Sequence, residues 1–166
     1  MIRLTPLPPS LPFHHPAVLI ATWFGAGLIR PAPGTWGTLF AFPFAVATGW
    51  AGGSWALLAC SVAAFAGGIW AAGKYCQAAE TDDASEVVID EVAAIFLVLA
   101  ALPMTPVAWG AAFVLFRFFD ILKPWPIGAM ERRFKGGFGV MIDDIAAALF
   151  AIFTFIFLDI LWLVLT

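Results

Sequence analysis

Leu99-Ala100-Ala101-Leu102-Pro103-Met104-Thr105-Pro106-Val107-Ala108-Trp109 decides how this chain is laid out. It lies inside an apolar run from Val92 to Phe116, which is either one long helix or two helices turned at Pro103–Pro106. The chain is 63% hydrophobic and 11% charged, with a mean hydropathy of +0.97. A soluble domain carries about a quarter charged residues, so the composition is that of an integral membrane protein. In such a protein Lys and Arg gather on one side of the membrane. A turn at Pro103–Pro106 returns the chain to its starting side, so that Arg117, Lys123, Arg132, Arg133 and Lys135 join Arg3, Arg30 and Lys74 there. A single crossing splits the two groups. The turn is therefore the reading adopted, with helices over roughly 87–102 and 107–122 and lengths that call for tilt or local thinning of the bilayer.

Working outward gives the rest of the layout. Residues 1–16 hold Pro6, Pro8, Pro9, Pro12 and Pro16 and read as an irregular arm. Arg3 is the only charge there and the prolines interrupt any apolar core, which argues against a signal peptide. Residues 17–29 are apolar, but at ~1.5 Å per residue they cannot cross a hydrocarbon core of ~30 Å. They read as an interfacial or re-entrant helix. Residues 36–51 and 55–73 form two spans joined by a tight turn at Gly52-Gly53-Ser54. Residues 123–139 read as a basic cytoplasmic loop, with Gly136-Gly137-Phe138-Gly139 allowing close backbone approach. Residues 140–165 are the last span. Trp50, Trp55, Trp109 and Trp162 fall where an aromatic belt marks the far side.

The expected fold is thus all-α. It is a polytopic membrane helix bundle of about five membrane helices plus the short N-terminal helix, with residues 17–166 forming one membrane-embedded domain behind the 1–16 arm. Cys60 and Cys76 give neither a disulfide framework nor a metal spacing. His14 and His15, the only histidines, lie in the arm and exclude a histidine-centred site. Nothing points to nucleic acid, and the oligomeric state is left open.

Chemistry concentrates in Phe116-Arg117-Phe118-Phe119-Asp120-Ile121-Leu122-Lys123-Pro124-Trp125-Pro126. At ~100° per residue, Arg117, Asp120 and Lys123 share less than half of a helix surface. Pro124 disfavours helical geometry at Lys123, so the helix ends there with the Lys aimed outward. An ordinary surface pair and a C-terminal Lys would look the same in isolation. The setting differs, because charges beside lipid-grade segments tend to be functional. The layout brings Asp90-Glu91, Asp120 and Asp143-Asp144 to one membrane face, each near a helix end. A hard divalent cation relieves such a cluster, and Mg²⁺ takes carboxylate oxygens together with substrate phosphate. One member of each adjacent pair is expected to face the ion while the other supports or caps. Arg117 and Lys123 supply the fork and the point charge that a phosphate needs. The turn Pro33-Gly34-Thr35-Trp36-Gly37-Thr38 starts a helix and offers N–H donors to an anion; it reads equally well as a plain turn with a Thr cap. Arg132, Arg133 and Lys135 suit anionic headgroups.

These segments resemble the phosphatidylglycerophosphatase A family of bacterial inner-membrane lipid phosphatases. The likeness is carried by Phe24-Gly25-Ala26-Gly27, the 33–38 turn, Val88-Ile89-Asp90-Glu91, the 116–126 stretch, and Gly136 through Asp144, which together cover most of residues 20–150. Glu86, Ala94 and Ala148 depart from the family's pattern without removing a candidate ligand. The resemblance implies Mg²⁺-dependent hydrolysis of phosphatidylglycerophosphate, a phospholipid substrate, at a multi-pass site facing the cytoplasm of the bacterial inner membrane. In that reading Asp90, Glu91, Asp120, Asp143 and Asp144 hold the ion, and Arg117, Lys123 and Thr35 hold phosphate. Catalysis falls to Asp120 and Asp143, either beside a water activated by the ion or as the attacking nucleophile; the residues leave both open. The alternative is a cation transporter or channel, which needs acids near the bilayer midplane and an inverted repeat. Neither is visible in the sequence.

Overall fold

Prolines and capping side chains set where the helices begin. In the computed structural model, which describes residues 2–165, three helices carry Pro in their first turn: α1 (Pro16–Ala21), α2 (Pro33–Ala78) and α4 (Pro106–Leu122). Proline suits that position because the first N–H has no intrahelical partner to lose. Thr105 caps α4, its Oγ1 accepting from Ala108 N at 3.2 Å. The helix stops at Leu122, where Pro124 requires it to, with Lys123 in left-handed geometry (φ 42°) and its N–H donating to Phe119 O. Between α3 (Ile89–Ala101) and α4 lies the turn expected at Pro103–Pro106. Helices α5 (Ile127–Arg133) and α6 (Gly136–Leu165) complete the chain.

The long element α2 is a helical hairpin. Gly52 (φ −152°, ψ 16°) and Gly53 (φ 63°, ψ −157°) leave helical geometry, and the second conformation is open to glycine almost alone. A Cβ built on Gly37 would meet Val88 at 2.6 Å, and one built on Gly68 would meet Ile89 at 3.2 Å. A straight helix would hold Gly37 and Gly68 roughly 45 Å apart. Their shared neighbours show that the second arm runs back beside the first, as the Gly-Gly-Ser turn predicts. The arms enclose α3, and Ser61 Oγ on the second arm donates to Ala93 O at 2.7 Å. All of α2's ends, the start of α3, the end of α4 and the start of α6 therefore lie at one end of the bundle. Trp50 and Trp55 stand exposed at the other, beside the hinge.

α6 rests on the second arm through glycine. A Cβ on Gly137 would overlap Ile69 O and sit 2.8 Å from Gly73 N, both backbone atoms that cannot swing away. Gly137→Ala is therefore expected to lower stability by about 2 kcal/mol, an overpacking cost. Thermal unfolding in detergent checks this, and an unchanged midpoint would show that α6 docks elsewhere.

Three expectations are corrected. Residues 17–29 do not form one helix. α1 ends after Ala21, because Thr22 Oγ1 donates back to Val18 O and accepts from Gly25 N, pulling the chain into a turn. Trp23, Phe24 and Gly25 then take positive φ, and a short 3₁₀ turn (Ala26–Leu28) follows. Nor is the arm irregular throughout: β1 (Arg3–Leu4) pairs antiparallel with β2 (Ile29–Arg30), a two-residue ladder in an otherwise helical fold. Likewise 123–139 is not all loop. Pro126 starts α5, and the glycines let α6 begin at Gly136 rather than 140. Two helical elements, Pro33–Ala78 and Gly136–Leu165, are long and apolar enough to cross a membrane. Buried residues from Ala17 to Ile152 pack as one core.

Candidate active site

The shared polar end of the bundle holds a cleft of about 280 Å³. Seven of the eight residues singled out by sequence line it: Asp90 and Glu91 from the first turn of α3, Arg117 and Asp120 from the last turns of α4, Lys123 just beyond, and Asp143 and Asp144 two turns into α6. Helix ends deliver these groups, so each can be deeply placed while its helix stays apolar. Asp90, Asp143 and Asp144 are nearly sequestered, at 9%, 5% and 4% exposure.

Three ion pairs order the cleft. Arg117 Nη1 reaches Asp120 Oδ2 at 2.5 Å, three residues along the same helix, and Glu91 Oε1 at 3.4 Å. Lys123 Nζ donates to Asp143 Oδ2 at 2.6 Å. Lys123 thus turns in across the cleft, a correction to its expected outward aim; the left-handed cap bends the chain back toward α6. The remaining acids face one another. Asp90, Glu91 and Asp144 each bring a carboxyl oxygen within 4.8 Å of the other two. Glu91 Oε2 and Asp144 Oδ2 are buried and accept no hydrogen bond. Buried carboxylates without compensation cost several kcal/mol each, and six carboxyl groups line the cleft against two cations. An all-oxygen donor set with orphaned, converging lone pairs fits a hard divalent cation of the Mg²⁺ type.

At Asp143-Asp144 the two side chains diverge, Asp143 turning to Lys123 and Asp144 to the other acids. At Asp90-Glu91 both side chains join the cluster, and Asp90 Oδ1 also accepts from Glu91 N at 3.0 Å. Thr35, the eighth residue, is half-buried on the first turn of α2 and is not among the cleft's lining residues, whereas Gly34 is.

Gly34 was not singled out by sequence, although it stands in the turn that was. A Cβ there would overlap Glu91 Oε1 and lie 3.0 Å from Arg117 Nη1. The bare position lets the α2 start pack against the acids without displacing Glu91 or Arg117. Asp83 and Ser85, from the polar linker before α3, also reach the cleft. The linker is held by Arg30, whose Nη2 donates to Ser85 Oγ and to Glu86 Oε1, the latter at 2.7 Å. Glu86 thereby acquires a structural partner.

Residues 19–159 match the sequence profile of the phosphatidylglycerophosphatase A family. A Haemophilus influenzae protein named phosphatidylglycerophosphatase A is 42% identical over 139 residues, spanning 83% of this chain and 85% of its own length. An Escherichia coli protein of the same name is 37% identical over 141 residues, spanning 82% and 80%. A Bacteroides thetaiotaomicron protein, provisionally named a phosphatidylinositol-3-phosphatase, is 39% identical over 148 residues, spanning 81% and 87%. No solved structure matches the chain.

Proposed function

The chain belongs to the phosphatidylglycerophosphatase A family, and from that premise we propose that it is a Mg²⁺-dependent lipid phosphatase. Its reaction is hydrolysis of phosphatidylglycerophosphate to phosphatidylglycerol and inorganic phosphate, a step of glycerophospholipid synthesis. The observation that carries this reading is the meeting of Asp90, Glu91 and Asp144 beside Arg117 and Lys123 in one cleft.

Asp90, Glu91 and Asp144 would hold the ion, which supplies Lewis-acid charge against phosphoryl oxygens. Arg117, steadied by Asp120 and Glu91, presents its planar fork to the terminal phosphate of the lipid. Lys123 adds a point charge on the same group. Asp120 and Asp143, each positioned by a cation, are the acids assigned to act on the reacting atoms. One arrangement has such a carboxylate take a proton from water as the water attacks phosphorus and the glycerol oxygen leaves. The other has the carboxylate attack phosphorus and expel the glycerol oxygen, forming an acyl phosphate that water then cleaves to free carboxylate and inorganic phosphate. Trapping with labelled substrate separates them, since only the second leaves label on the protein.

In this account the two arms of α2 together with α6 cross the bacterial inner membrane, and α3 and α4, at 13 and 17 residues, complete the five-helix bundle only where the bilayer thins around them. The cations gathered at the cleft end support a cytoplasmic site. Residues 17–166 act as one membrane-embedded domain with the arm folded onto it. A transporter would carry its acids midway along the spans; here they lie toward helix ends. Phosphate release from phosphatidylglycerophosphate in detergent micelles is expected to stop on chelation with EDTA and to return with added Mg²⁺. Release indifferent to chelation would remove the ion from this account.

A further inference from the structure

The ladder between β1 and β2 has two chemically different faces. Arg3 lies across from Arg30, and Leu4 across from Ile29; side chains alternate across a strand. On one face the two arginines line a cavity of about 540 Å³ with Pro31 and Ala32. Ala32 also lines the acid cleft, so the two spaces share a wall. On the other face Leu4 and Ile29 border an apolar cavity of about 420 Å³ with Trp23, Phe24, Phe40 and Phe44. Trp23 meets Phe44 edge-on at 5.2 Å, and Phe24 stacks on Phe44 at 6.4 Å, which builds a wall of rings. Arg30 is fixed in place, its Nε donating to Thr5 Oγ1 at 3.0 Å and its Nη2 pairing with Glu86. Arg3 has no ion-pair partner among the described residues. The cavity beside α5 is a poorer anion site. Its Arg132 and Lys135 are outnumbered by Asp82, Asp83 and Asp143.

A basic face and an aromatic trough on opposite sides of one ribbon, next to a phosphate cleft, match the parts of a single phospholipid. We propose that Arg3 and Arg30 bind the internal phosphodiester of the same lipid whose terminal phosphate enters the acid cleft, while the aromatic trough takes one of its acyl chains. The inference rests on the phosphatase reading above and deepens it. The substrate class is a diacyl lipid bearing both a phosphomonoester and a phosphodiester, joined by a short polyol. A lipid with the monoester alone leaves the arginine face empty.

The test uses the full chain in neutral detergent micelles, where the surface carries no charge of its own. For phosphatidylglycerophosphate, Arg3→Gln is expected to raise KM about tenfold, the loss of one charge-assisted contact. kcat is expected to hold within about twofold, and Arg3→Lys to recover part of the KM. Phosphatidylglycerol keeps the diester and both chains but has no terminal phosphate. As a competitor it should weaken against Arg3→Gln by the same factor, while phosphatidic acid, which lacks the diester, should compete equally with both proteins. An unchanged KM, a loss carried by kcat, or equal weakening of both competitors overturns the proposal while leaving the phosphatase reading intact. A wild-type protein that releases no phosphate from phosphatidylglycerophosphate ends both.

Discussion

Asp144→Asn is expected to lower phosphate release on the order of a thousandfold, the scale lost when a preorganised charge is removed from a transition state. Asn keeps the shape of the side chain and removes one charge from the group that Asp90 and Glu91 share with it. The same change should leave the chelated protein folded and somewhat more heat-resistant, since like charges packed together oppose folding. Wild-type protein should gain stability on addition of Mg²⁺, by about 2.7 kcal/mol at a hundredfold excess over its dissociation constant, whereas the variant gains little. Thermal scans with and without the ion therefore read the site independently of turnover. A variant that turns over near the wild-type rate, or that responds to Mg²⁺ as the wild type does, would take Asp144 out of the metal site.

Gly34→Ala should cost about a hundredfold in kcat/KM with little change in stability. The added methyl collides with Glu91 Oε1, the end of a flexible side chain that can yield. The fold survives because the backbone need not move and Ala is the better helix former by about 1 kcal/mol. Activity does not survive, because the yielding group is a cleft acid in contact with Arg117, and misplacement by about 1 Å costs that much in rate. Rates measured beside unfolding midpoints decide the matter. Equal losses in both would mean that Gly34 is structural, and no loss in either would mean that the cleft is looser than its geometry indicates.

Much of this arrangement was legible in the sequence, for identifiable reasons. Helix ends marked by Pro33, Pro106 and Pro124, and the hinge at Gly52-Gly53, are backbone-level signals that need no partner to operate. Cation placement resolved the turn at Pro103–Pro106, and with it the gathering of Asp90, Asp120 and Asp143 at one end. Features set by contacts between distant segments were not legible. Gly34 looks like any turn glycine until Glu91 and Arg117 are placed against it. The β1–β2 ladder is two residues a side, too short for a periodic pattern, and forms because Arg30 is held by Thr5, Ser85 and Glu86 at once. The break in residues 17–29 came from Thr22 bonding back into its own helix, which apolar composition conceals. The inward turn of Lys123 depended on where α6 put Asp143.

That the acids sit at helix ends rather than midway has a kinetic meaning. On the proposed membrane placement, the scissile bond can be reached by a lipid that stays in its leaflet, one tail against the aromatic trough and the other among neighbouring tails, so no extraction step precedes chemistry. Turnover should then follow how crowded the surface is with substrate: diluting it with inert lipid slows the enzyme, and diluting the whole suspension with buffer does not.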